Sequence, residues 1–285
     1  MSKEILLSND ILTVKLSTTG AELLSVKKQN EEYIWTGDPE IWALHSPLLF
    51  PICGVVKDNK YIYDGKEYNM KIHGYGRFLE FEVESQKENK IVFLHRYDEE
   101  TLKCYPFKYE LRVIYTIVDS SLKVEYNVKN LSSSAMYFSI GAHEGYNCPE
   151  GIEEYSVIFQ EKEDLVHNIY NDGLLEYETK NIGNGAIELP LKYDYFKDNA
   201  LTFLNLKSKE FCLINRKTGK IIKLKIDNNH SSFSIWTRQR NPYICLEPWC
   251  GMPDFVDSDS NIKNKKGIII LEGCSKKTIT HEILF

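Results

Sequence analysis

Apolar residues recur at every second position through much of the chain. Leu111, Val113, Tyr115 and Ile117 alternate with polar neighbours, Asp119-Ser120-Ser121 marks a turn, and Leu122, Val124, Tyr126 and Val128 resume the alternation. A period of two puts these side chains on one side of a pleated ribbon, so the segment predicts an antiparallel hairpin with one buried face. Tyr61 and Tyr63, then Asp64-Gly65, then Tyr68 and Met70 predict a second hairpin, turning on an Asp-Gly pair that tolerates positive φ. Phe211 and Leu213, a turn near Thr218-Gly219, and Ile222, Leu224 and Ile226 predict a third. The chain closes on Ile279, His281, Ile283 and Phe285 in the same period.

Helical signals are short. Asp38-Pro39 opens one turn toward Trp42, and Asp98 before Glu99-Glu100 caps another. Neither recurs between strands, which argues against a βαβ architecture. No composition break, low-complexity linker or internal repeat divides the sequence. The 285 residues therefore predict one all-β domain spanning 1–285, a large antiparallel β-sandwich with a few short helices.

A formal charge of -6 argues against a nucleic-acid partner, and the densest basic cluster, Lys263, Lys265 and Lys266, follows directly on Asp257 and Asp259. No apolar run is long enough to span a bilayer. Met1-Ser2-Lys3-Glu4 enters a strand-like run without an apolar signal core, so a cytoplasmic protein is expected. The seven cysteines are odd in number, scattered, and form no CxxC pair, which predicts reduced thiols. Cys245 and Cys250 flank Glu247, but they lie five residues apart without matching histidines, and no metal site is expected. No glycine elbow of the GxSxG kind and no glycine-rich phosphate loop is present.

What remains is general acid–base chemistry. Glu247 lies between the strand-like run Ile244-Cys245-Leu246 and a Pro248-Trp249 wall. A carboxylate in such surroundings is poorly hydrated, and desolvation raises its pKa toward neutrality, where it is a better base. The alternative is an architectural ion pair with Arg238 or Arg240. His73 stands in a bend marked by Gly74 and Gly76, with Arg77 just beyond, and His143 stands where a strand gives way to an irregular loop. Each imidazole is able to exchange protons at physiological pH, or simply to bond a nearby carbonyl. Asp198 reads as a turn or cap residue. Trp236 and Trp249 present faces suited either to a sugar ring or to the core.

Taken in order, these motifs resemble the aldose 1-epimerase (galactose mutarotase) family, most closely its LacX-like branch. The resemblance runs through Leu48-Leu49-Phe50-Pro51-Ile52-Cys53-Gly54, His73-Gly74-Tyr75-Gly76-Arg77, Gly141-Ala142-His143, Asp198-Asn199-Ala200-Leu201, Ile235-Trp236-Thr237 and Cys245-Leu246-Glu247-Pro248-Trp249-Cys250-Gly251. It implies a large antiparallel β-sandwich acting without cofactor or metal on a small-molecule sugar. Glu247 then occupies the general-base position and His143 the general-acid position. His73 matches a second active-site histidine, Asp198 a carboxylate that holds sugar hydroxyls, and Arg77 a residue facing the substrate.

Three positions depart from the family pattern. Val55 stands where LacX-like sequences usually carry arginine, Glu144 where proline is favoured, and Gly76 where alanine precedes the arginine. A carboxylate beside His143 would either raise the imidazole's pKa or point to solvent. The implied reaction is exchange of the α and β anomers of a free hexose. Two other readings stay open: epimerisation of a hexose 6-phosphate gripped by Arg77, Arg238 or Arg240, and a sugar-binding β-sandwich without turnover. The physiological sugar, and whether the protein is a monomer or a homodimer, stay open as well.

Overall fold

The hairpin foreseen around Asp119 forms the middle of a nine-stranded antiparallel sheet. In the computed structural model, which describes residues 3–238 and 240–285, its strands are Tyr109–Val118 and Ser121–Asn130, with Leu111 facing Val128 and Ile117 facing Leu122. Met1 and Ser2, at the start of the N-terminal run, lie outside the described residues. Tyr109, Leu111, Val113, Tyr115 and Ile117 are buried while the residues between them are not, as the period of two requires. The C-terminal strand Lys276–Leu284 pairs with Ser121–Asn130 on one side and with Ile221–Ile226 on the other. The predicted hairpin of Glu210–Asn215 and Ile221–Ile226 thereby joins the same sheet.

A second antiparallel sheet covers this one. Its order runs Ile140–Gly141, Tyr243–Cys250, Ser232–Trp236, Leu201–Phe203, Val166–Asn171 and Leu174–Asn181, and Glu144–Asn147 also pairs with Tyr243–Cys250. Phe211 of the first sheet stacks on Phe233 of the second with centroids 4.0 Å apart. The core between the sheets continues from Leu7 to Phe285. Two layers closing one apolar interior are what strands with a single buried face demand.

Smaller elements fill the ends. Lys60–Tyr63 and Lys66–Asn69 make the predicted short hairpin, with Asp64 and Gly65 both at positive φ. Asp98 caps the helix Glu99–Cys104 by accepting from the Thr101 amide at 2.7 Å. The Asp38 carbonyl accepts from the amides of Ile41 and Trp42, the single turn expected there. Among the described residues no helix is long and apolar enough to cross a membrane.

Candidate active site

Every residue of Tyr243–Cys250 is buried, because the strand is covered on both faces. Its even positions, among them Ile244, Leu246 and Cys250, join the core between the sheets. Its odd positions, Tyr243, Cys245, Glu247 and Trp249, face the other way, where Glu247 and Trp249 line a cavity of about 240 Å³. That is at or below the small end of ligand pockets, roughly 300–1,000 Å³, and suits one small ring.

Strand register explains how His143 reaches Glu247. Gly141 pairs with Trp249 and Glu144 with Leu246, so His143 stands directly across from Glu247 in the same ladder. Cross-strand neighbours of this kind are in side-chain contact. His143 Nε2 lies 3.3 Å from Glu247 Oε2, with the two residues 8 % and 1 % exposed. The contact lacks hydrogen-bond alignment, and among the described residues Glu247 Oε2 and His143 Nδ1 have no hydrogen-bond partner. Trp249 Nε1 donates to the Ala142 carbonyl at 3.2 Å and ties the histidine segment to the strand.

Burial pushes the Glu247 carboxyl well above the usual carboxylate range; Glu144 adds to this and the Trp249 indole opposes it. Burial pushes the His143 imidazole down to about 3, opposed by a backbone hydrogen bond and reinforced by Arg77. Both shifts favour the uncharged forms. Burial thus favours a protonated carboxyl beside a neutral imidazole, with the two groups sharing one proton.

His73 and Gly74 both adopt positive φ, 62° and 70°. A side chain on Gly74 would strike the Phe50 carbonyl oxygen at 2.2 Å, which accounts for the glycine. The bend brings the His73 ring 5.5 Å from that of His143 and 5.6 Å from Trp249. Its Nδ1 accepts from the Gly54 amide at 3.1 Å, so the neutral ring carries its proton on Nε2. Burial, reinforced by coupling to the neighbouring His143 and by the Arg77 guanidinium, holds its pKa well below the usual imidazole range.

Arg77 and Trp236 also line the cavity. Arg77 Nε is buried without a hydrogen-bond partner among the described residues, and desolvation lowers the guanidinium's pKa. Trp236 meets the edge of His143 at 5.6 Å and of Trp42 at the same distance. Asp198 is not brought in. It is exposed and lines a neighbouring cavity, while the next residue, Asn199, reaches the one that holds Glu247. The structure places it as the turn residue that its local sequence suggests, following the short helical turn Tyr193–Phe196. Arg238 and Arg240 are exposed and do not line the cavity, and an Arg238 guanidinium N–H donates to the Ile41 carbonyl.

Several contributors carried no sequence signal strong enough to single them out. Trp42 packs its ring 5.2 Å from His143. Tyr170 lines the cavity and joins a hydroxyl chain: its Oη is 2.6 Å from Thr202 Oγ1, which is 2.5 Å from Ser234 Oγ. Ser234 is Glu247's other cross-strand neighbour. Cys245, two residues before Glu247 on the same face, completes a group in which donor atoms of His143, Cys245 and Glu247 all lie within 4.8 Å.

Glu144 takes neither course expected of it. One position beyond His143, it projects to the opposite side of the sheet, and its Oε1 meets His281 Nε2 of the other sheet at 2.8 Å, both residues buried. Glu144→Ala should lower stability by about 1–3 kcal/mol, the usual cost of leaving a buried hydrogen-bonding group without its partner. A denaturant midpoint shifted by less than about 1 kcal/mol would show that the pair is energetically idle.

The sequence profile of aldose 1-epimerase matches residues 3–281. The chain is 34% identical to Protein LacX (plasmid) of Lactococcus lactis subsp. lactis, covering 98% of both chains. Its fold superposes with a TM-score of 0.94 on a galactose mutarotase related enzyme from Lactobacillus acidophilus, at 31% identity and over 99% and 97% of the two chains. A galactose mutarotase-like protein from Lactobacillus casei gives 0.93 at 27% identity, over 99% of each. A profile spanning nearly the whole chain, with relatives matched end to end, settles the affiliation: the chain belongs to the aldose 1-epimerase family.

Proposed function

We propose that the protein is an aldose 1-epimerase that exchanges the α and β anomers of a free hexose. The observation that carries this is the buried Glu247–His143 contact at 3.3 Å, opening on a small cavity with tryptophan walls. The anomeric hydroxyl and the ring oxygen of a pyranose share one carbon, so a base and an acid this close are able to serve both oxygens. The resting pair already holds the single proton the reaction needs. Moving it from Glu247 to His143 gives a carboxylate and an imidazolium, and polar sugar oxygens in the cavity favour that charged form. Glu247 then takes the anomeric proton as His143 protonates the ring oxygen. The ring opens to the aldehyde, rotation about C1–C2 presents its other face, and on reclosure His143 takes back the ring-oxygen proton while Glu247 returns its own to the new anomeric hydroxyl.

Around this pair, the Nε2–H of His73 and the guanidinium of Arg77 are donors for sugar hydroxyls, and Trp236 offers an apolar face to the ring's C–H groups. Arg77 is the one arginine of the three considered for a phosphate that lines the cavity, which favours a neutral sugar over a hexose phosphate. Polarimetry or exchange NMR comparing glucose and galactose with glucose 6-phosphate tests the reading. Faster exchange of the free hexoses is expected. A preference of about tenfold or more for the phosphate would transfer the assignment to a hexose-6-phosphate epimerase. Sugar binding with no change in the spontaneous exchange rate would leave a binding protein.

A further inference from the structure

We propose that His143, Cys245 and Glu247 form a binding site for one zinc-class divalent ion, and that its occupation switches off proton transfer. The inhibitory half rests on the function proposed above; the binding half does not. The three donors come from two strands: Cys245 and Glu247 share a face of Tyr243–Cys250, and His143 stands across the ladder from Glu247. Their ligand atoms all lie within 4.8 Å of one another. Zinc holds sulfur at about 2.3 Å and nitrogen or oxygen at about 2.0–2.2 Å, so tetrahedral ligands sit about 3.3–3.6 Å apart. The 3.3 Å between His143 Nε2 and Glu247 Oε2 is already that bite, and Cys245 needs only a small inward shift.

A second observation points independently to a ligand. Among the described residues Glu247 Oε2 has no hydrogen-bond partner, although the residue is almost wholly buried and lines the cavity. Buried polar atoms without partners are uncommon, and each calls for an explanation. The donor chemistry selects the ion: one imidazole nitrogen, one thiolate and one carboxylate suit zinc, cadmium or cobalt, whereas magnesium and calcium prefer oxygen alone.

Charge also balances. A thiolate and a carboxylate neutralise a divalent cation, so the loaded site buries no net charge, and the Trp42 and Trp236 walls exclude water that would compete. Arg77, a half-buried guanidinium lining the same cavity, opposes a cation there, as its charge already acts on His143. Binding displaces the Cys245 thiol proton and the proton that Glu247 shares with His143, so the ion enters and two protons leave. The fourth position opens on the cavity, where a water or a sugar hydroxyl completes the tetrahedron. With both proton-transfer groups on the metal, the ring-opening step has neither base nor acid.

Cys250, the other cysteine flanking Glu247, faces the core between the sheets and takes no part. The pairing with a histidine more than a hundred residues earlier is what the spacing of Cys245 and Cys250 could not reveal.

Cobalt(II) is the probe, because a cobalt–thiolate bond gives a charge-transfer band that carboxylate and imidazole do not. The Cys274→Ser background removes the one exposed cysteine. Stoichiometric cobalt should produce the band, and Cys245→Ser or Cys245→Ala should abolish it. Zinc should inhibit anomer exchange reversibly, with chelator restoring the rate. Either Cys245 variant, measured against its own rate in chelator, should need at least about tenfold more zinc for inhibition, since even outer-sphere losses weaken metal sites about 10–100-fold. A missing band, or one that survives in both Cys245 variants, overturns the site. A band together with undiminished turnover of the metal-loaded protein would instead overturn the inhibition and remove His143 and Glu247 from the mechanism.

Discussion

Glu247→Gln should slow enzymatic anomer exchange at least about 100-fold, in line with the 10²–10⁴-fold that a positioned base contributes. The amide keeps the size and planarity of the carboxyl and fills the same buried place opposite His143. It can donate and accept hydrogen bonds, so the sugar should still enter the cavity. What it cannot do is take up the anomeric proton. The loss should therefore fall on kcat, with KM changed little. Stability should not suffer, because burial already disfavours the charged carboxylate, and a neutral amide carries no larger desolvation penalty. A thermal melt beside the polarimetric rate separates the two effects. A Glu247→Gln protein that exchanges anomers at near the native rate would take this residue out of the chemistry.

Periodicity made much of this arrangement legible. The alternation from Leu111 to Val128 predicts both strands and the turn between them because one face of the ribbon must meet a core. Glu247 stands out because a carboxylate inside a run of apolar residues has to be poorly hydrated, and it is 1 % exposed. His73 stands out through the two glycines that follow it; the left-handed backbone falls on His73 and Gly74, while Gly76 is packed closely against Phe50. Periodicity assigns a face but not the partner across the sheet. Glu144 illustrates this: its alternation with His143 is plain, yet nothing local shows that the far face meets His281 from 137 residues away. Asp198 shows a second limit. In a turn, neighbouring residues diverge, and it is Asn199 that reaches the cavity. Tyr170 and Cys245 belong to the same class, since each acquires its meaning from a strand that only the fold sets beside it.

His143→Asn should also lower the rate at least about 100-fold, and its pH dependence should change in kind. In the native pair the protons come off in two steps that belong to the pair jointly. Below about pH 3 the imidazole takes up a second proton and no base is left. Above the raised pKa of Glu247 the last proton is lost and no acid is left. Between these limits the pair holds one proton, so kcat/KM measured in chelator should be flat from about pH 4 up to the raised pKa of Glu247, with no rise at an ordinary histidine pKa. In His143→Asn only the carboxylate remains to work, and it must be ionised. The residual rate should then rise with pH until Glu247 has lost its proton, where the native profile begins to fall. A native profile that instead climbs or drops through pH 6–7 with a single ordinary histidine titration would break the one-proton pair. A His143→Asn profile parallel to the native one would place the imidazole outside the proton path.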